Sequence, residues 1–285
     1  MNNQKGHFKI LLVFVILLSC SSCYYFGQRT AVTIEPTATL TPAATSQPTN
    51  IRYKFSVDDL DRTYWLHVPS DLDLNQSVPV VFVFHGLGAR PQDMFKTGFN
   101  AIADQEGFIV VYPALGRGEQ PVFIRQILSD LGAIVNIDSK RIYLTGYSLG
   151  GELAYRSACE MSDTIAAIAA VSGMGYCISS QPEQAVSVLH IHGLADDLVA
   201  YDGVGGKFFH IPVEEVISFW VQFNGCIISG KEEKNEKITH STYNPCQDGT
   251  AVELYTIEAM GHKWPDKEMP TAQIIWDFFI SHPKP

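Results

Sequence analysis

A serine hydroxyl is a weak nucleophile until a base takes its proton, and that base needs a carboxylate to hold its tautomer. One serine in this chain is set for such work. Gly146-Tyr147-Ser148-Leu149-Gly150 reads G-x-S-x-G, preceded by the apolar run Arg141 to Thr145 and followed by the helix-forming segment Glu152 to Met161. Strand, sharp turn and helix make a nucleophile elbow, in which a strained turn lifts the hydroxyl above a sheet. Gly146 and Gly150 supply the room for strand and helix to approach. The helix N-terminus then aims free N–H groups and a positive dipole at any oxyanion formed beside Ser148.

The partners of that serine lie far along the chain. Among nine histidines, His262 in Met260-Gly-His262-Lys-Trp-Pro265 is the best base, because a loop bracketed by Gly261 and Pro265 can swing its ring over a sheet edge. The acid comes from His190-Ile-His-Gly-Leu-Ala-Asp196-Asp197. Asp196 and Asp197 compete for the role, and Asp197 or Asp202 would more simply cap a turn. Serine, acid, histidine is a recurring chain order for this chemistry. His85-Gly86-Leu87-Gly88 ends an early buried strand, so the Leu87 amide pairs with that of Leu149 as the expected oxyanion hole. His85 itself is expected to order its loop by hydrogen bonding. His190 and His192 share one face of a strand, but with Asp196 they complete no recognised zinc spacing, so no metal is expected. The chemistry calls for no cofactor.

These residues need a scaffold that gathers strand ends. Residues 51–57 and 63–68 read as an antiparallel strand pair at a sheet edge around the Asp58-Asp59-Leu60-Asp61 turn. Residues 78–86 are apolar on both faces, the pattern of a strand inside a parallel sheet. Strands over 108–112, 141–145, 165–171, 186–192 and 252–257 then alternate with helices over 95–106, 122–135, 152–161, 213–223 and 272–280. That alternation predicts a single α/β domain: a mostly parallel sheet with helices on both faces. Ligands of such sheets bind outside the carboxyl ends of the strands, where His85, Ser148, Asp196 and His262 all fall.

The leader is not part of this fold. Lys5 and Lys9 precede an apolar run too short to span a bilayer, then Ser19-Cys20. Residues 1–19 read as a signal peptide, and Leu17-Leu18-Ser19-Cys20 resembles a lipobox in which Cys20 is lipidated. Residues 20–50, rich in Thr, Pro and Ala, read as an extended tether, and residues 51–285 as the folded domain. Loss of residues 1–19 removes two lysines and no acid, taking the net charge from −10 to −12. That charge argues against nucleic acid or anionic lipid as partner, so the only membrane link expected is the N-terminal anchor. A monomer is expected.

Beyond Cys20 and Cys23, four cysteines remain, and spacing does not choose among their three pairings. Cys226 and Cys246 bracket the polar loop Ser229 to Asn244, which favours that bridge, with Cys159–Cys177 second or a pair of buried thiols. The charge run Lys231 to Lys237 reads as a solvated turn.

The chain resembles the secreted esterases of carbohydrate esterase family one, the feruloyl and acetylxylan esterases, and the related polyhydroxybutyrate depolymerase-like group. His85-Gly86, Gly107 to Pro113, Gly146 to Gly151, His192 to Asp196, Tyr201-Asp-Gly203, Asn224-Gly-Cys226, Cys246 and Gly261 to Pro265 carry the likeness, which covers nearly everything from Tyr53 onward. It implies the α/β-hydrolase fold, Ser148 as nucleophile, Asp196 as acid, His262 as base and a Cys226–Cys246 disulfide. The chain departs from the pattern in having only Ala114 to Gln120 between the Tyr112-Pro113 strand end and the next helix, and Lys263 where threonine is common. The expectation is a serine esterase, exported or lipid-anchored, acting on plant cell-wall esters, feruloyl before acetyl. Tyr147 and Trp264 could stack on an aromatic acyl group or simply pack. Alternatives are a polyester or oligomer hydrolase, a serine peptidase, or a binding lipoprotein without catalysis.

Overall fold

A computed structural model describes residues 50–57, 60–73, 75–116, 120–175, 177, 180–207, 211–227 and 230–285. The segments read above as signal peptide and tether, Cys20 included, lie outside them but for Asn50, as does the expected turn at Asp58-Asp59. The described residues share one ten-stranded sheet in the order β1-β2-β4-β3-β5-β6-β7-β10-β9-β8.

Six strands run parallel at its centre: β4 (Ile109–Pro113), β3 (Val78–Phe84), β5 (Ile137–Tyr147), β6 (Ala167–Val171), β7 (Ser187–Gly193) and β10 (Val252–Ile257). Every residue of β3, β4, β6 and β7 is buried, as continuous apolar runs demand of strands covered on both faces. Two cores flank the sheet. On one side pack α2 (Gln120–Gly132), α3 (Leu149–Glu160) and α4 (Val213–Phe223); on the other, α1 (Phe99–Glu106) and α5 (Thr271–Ser281). The expected layering holds. Among the described residues no helix is long and apolar enough to cross a membrane.

The edges differ in how far composition announced them. β1 (Asn50–Val57) and β2 (Leu60–His67) form the expected antiparallel pair, and β2 continues antiparallel onto β4. At the far edge the expectation of a solvated turn is corrected. Lys231–Asn235 is β8 and Ile238–Tyr243 is β9, a hairpin that extends the sheet antiparallel from β10. An exposed strand of Lys and Glu has no apolar alternation to reveal it. Cross-strand pairing holds the hairpin instead: His240 stacks on Tyr255 at 3.9 Å and its Nε2 meets Glu253 Oε2 at 2.8 Å.

Two helix starts are also adjusted. Pro91–Thr97 forms a 3-10 turn, and α1 begins only after Gly98, whose φ of 98° interrupts the helix. The elbow helix begins at Leu149, directly after Ser148, three residues before the apolar period reveals it. Both cysteine pairs are bridged, Cys159 to Cys177 and Cys226 to Cys246, so the free-thiol alternative for the first pair does not hold.

Candidate active site

Ser148 sits where β5 turns into α3, with φ 56° and ψ −120°, a conformation that L-residues rarely adopt. The flanking glycines are obligatory for a measurable reason. A Cβ on Gly146 would lie 2.4 Å from the Gly150 carbonyl carbon, and one on Gly150 would lie 2.4 Å from the Phe84 oxygen. The Ser148 N–H donates to the Val171 carbonyl at 2.9 Å, which fixes the turn to the neighbouring strand end.

Three distant segments meet here. Ser148 Oγ lies 2.9 Å from His262 Nε2, and His262 Nδ1 lies 2.8 Å from Asp196 Oδ2. The arrangement is consistent with the hydroxyl donating to Nε2 while Nδ1–H donates to the carboxylate. Asp196 follows β7 and its side chain is fully buried; Asp197 is exposed, and Asp202 accepts the Val204 N–H as a turn cap. Burial alone would raise the Asp196 carboxyl. The His262 hydrogen bond, the Val199 N–H, the His262 charge and the Leu198 N–H outweigh it and hold the group below the usual carboxylate range. Asp196 Oδ1 takes both amides, at 3.0 Å from Leu198 and 2.9 Å from Val199. No residue type signals those two donors in the sequence, since they are backbone groups.

The acid and histidine loops touch closely. Ala195 N–H donates to Met260 O at 3.1 Å, and a Cβ on Gly193 would come within 2.0 Å of that same oxygen. Gly193 is therefore required by the approach of the loop that carries His262.

The amides of Leu87, just past β3, and Leu149, at the start of α3, are those expected to face an oxyanion, and no acceptor among the described residues takes either N–H. Leu149 is the first residue of α3, where an N–H has no partner within the helix. Leu87 is 73 % exposed. His85 orders its loop: Nδ1 contacts Gly86 O at 2.8 Å, and Nε2 accepts the Leu115 N–H at 3.1 Å. Burial lowers its pKa against the opposing pulls of Gly86 and Asp93, which keeps Nε2 free to accept.

A cavity of about 560 Å³ lies beside the elbow, lined by Gly86, Met94, Thr97, Tyr147 and Trp264 and by the charged Asp93, Lys96, Lys263, Asp266 and Lys267; Ser148 itself is not on its wall. Trp264 packs edge-on against Phe99. Tyr147 does more than line the wall: its hydroxyl donates to His262 O at 2.8 Å, tying the elbow to the histidine loop. Burial, with the Asp196 charge adding, pushes that hydroxyl up to about 12, so it stays a donor. Lys263 pairs with Glu268. Among the described residues no three His, Cys, Asp or Glu side chains cluster as metal ligands.

Sheet order, helix placement and the serine elbow define an α/β-hydrolase fold. No family model matches the sequence. The bifunctional acetylxylan esterase/xylanase XynS20E of Neocallimastix patriciarum is 28% identical over 229 residues, 75% of this chain and 32% of that protein. Feruloyl esterase B of Piromyces equi is 29% identical over 184 residues, 59% of this chain and again 32% of its own length. The chain thus spans about a third of each of these relatives. The acetyl xylan esterase structure from Aspergillus awamori superposes with a TM-score of 0.59 at 16% identity, covering 77% of this chain and 94% of that one. At that identity the likeness concerns the fold. The resemblance to feruloyl and acetylxylan esterases read from the motifs is borne out.

Proposed function

We propose that this chain is a serine carboxylic-ester hydrolase of feruloyl esterase type, acting on ester groups of plant cell-wall carbohydrate. The observation that carries the reading is the continuous contact from Asp196 through His262 to Ser148, at 2.8 and 2.9 Å. Ser148 Oγ attacks the ester carbonyl as its proton passes to His262 Nε2, and Asp196 stabilises the imidazolium. The tetrahedral oxyanion rests on the Leu87 and Leu149 amides. Collapse breaks the bond to the alcohol oxygen, which leaves with the proton from His262. Water then gives a proton to His262, attacks the acyl carbon and releases the acid, while the proton returns to Ser148.

An aromatic acyl group is favoured by the cavity at Gly86 and Tyr147: about 560 Å³ with Tyr147 and Trp264 on its walls is far more than an acetyl group fills. Export is supported by two disulfides, which persist in oxidising compartments. Lipid anchoring through Cys20 and the tether belong to the same proposal. The test is a panel of feruloyl, acetyl and hydroxybutyrate esters, with fluorophosphonate labelling and a Ser148→Ala control. Label on Ser148 with feruloyl turnover supports the reading. Folded protein that takes no label ends it.

A further inference from the structure

Two buried histidines beneath the site are left without a role by the mechanism above. His190 and His192 project from one face of β7, both fully buried, with rings 5.2 Å apart and stacked. His192 Nε2 lies 2.8 Å from the Val199 carbonyl oxygen, which can only accept, so Nε2 carries a proton. A neutral ring then presents Nδ1 as acceptor, and it lies 2.9 Å from His190 Nε2. His190 Nε2 is the donor there, which leaves His190 Nδ1 to accept the Tyr155 hydroxyl at 2.8 Å. Every hydrogen bond in the row runs one way, from Tyr155 to His190 to His192 to Val199.

The two ends of this row are what matter. Tyr155 belongs to α3, the helix that opens at Ser148. Val199 sends its own N–H to Asp196 Oδ1 at 2.9 Å, and His192 Nε2 is itself 3.5 Å from Asp196 Oδ2. We infer that His192 is a positioning residue for the reaction proposed above: its Nε2–H, aimed by Tyr155 and His190, holds the carbonyl of Val199, the residue whose own N–H holds the Asp196 carboxylate. The inference rests on Asp196 orienting His262. The row links the segment of the nucleophile to the segment of the acid through the core, independently of His262. Such a link matters because displacement of a catalytic group by an ångström is costly in rate.

Steady-state hydrolysis of a feruloyl ester by four variants tests it. His192→Met keeps the volume and removes the donor, and should lower kcat about a hundredfold while KM stays within about twofold. His192→Gln places an amide N–H near the lost Nε2–H and should restore kcat to within about fivefold of the parent. In an Asp196→Asn background, His192→Met should add less than about a twofold further loss, because the two act as one unit. Full kcat in folded His192→Met, or an equal loss in both backgrounds, overturns the inference. Should Asp196→Asn itself keep full activity, the triad reading fails instead. Should His192→Met not fold, 15N spectra of the histidine-labelled parent protein at pH 7 decide. Protons on Nε2 of both rings, with His190 changed by Tyr155→Phe, support the row, and a proton on Nδ1 of His192 overturns it.

Discussion

His262 Nε2 stands 2.9 Å from the Ser148 hydroxyl across 114 residues of chain. Neither residue is reactive by type; in the reaction we propose, that contact makes an alcohol the nucleophile and an imidazole its base.

Replacing Ser148 by Ala should lower kcat on a feruloyl ester by about a millionfold, because a triad that loses its nucleophile retains only the contributions of binding and the oxyanion hole. Fluorophosphonate labelling should vanish with it. The thermal midpoint should change little, since Ala keeps the Cβ that sets the strain of the turn. Residual turnover near the parent rate would refute the assignment.

The two adjacent acids should separate cleanly. Asp196→Asn should cost about 10⁴ in kcat, because the amide favours the wrong His262 tautomer. Asp197 is exposed, and the His262 ring is held by Asp196, so Asp197→Asn should change kcat by less than about twofold. The comparison is two kinetic runs on one substrate.

Acid lability should trace in part to the same carboxylate. Asp196 has a folded pKa below its ordinary value, despite the opposing effect of burial, so its ionised form stabilises the folded chain above about pH 4, the ordinary carboxylate value. That contribution is lost as pH falls from there through the lowered folded value. Melting curves from pH 6 to pH 3 should therefore fall more steeply for the parent than for Asp196→Asn. Parallel curves would contradict the sign.

Acyl selectivity should follow Trp264. It lines the cavity that opens at Gly86 and Tyr147, so Trp264→Ala should raise KM for a feruloyl ester about tenfold, the loss of an aromatic stack. KM for an acetyl ester should stay within about twofold. Equal changes on both substrates would mean that Trp264 only packs.

Replacing Cys226 and Cys246 together by Ala should lower stability by about 3 kcal/mol, from the loop closure that the bridge removes from the unfolded chain. The bridge joins the end of α4 to the segment before β10, away from the site, so kcat should be retained. Denaturant unfolding alongside kinetics checks both halves.

Much of this protein was legible before any coordinates. Continuous apolar runs announced the central strands, because a strand covered on both faces has no polar side to show. The G-x-S-x-G turn announced itself through its glycines, each of which faces backbone at 2.4 Å. The β8–β9 hairpin stayed hidden, since Lys231 to Asn235 lies exposed and its place depends on pairing with strands distant in sequence. Tyr147 was readable as an aromatic beside the serine, but not as the donor that anchors the His262 carbonyl.

Residue types and order alone determined that a serine, a carboxylate and a histidine would end separate strands of one α/β sheet. Only the tertiary structure decided which carboxylate meets His262, because two adjacent aspartates are alike by type and differ in that Asp196 is buried against the ring and Asp197 is exposed. It also decided that Leu198, Val199 and His192 surround that acid. Hydrogen bonds from backbone amides and between buried rings depend on distances that no local pattern encodes.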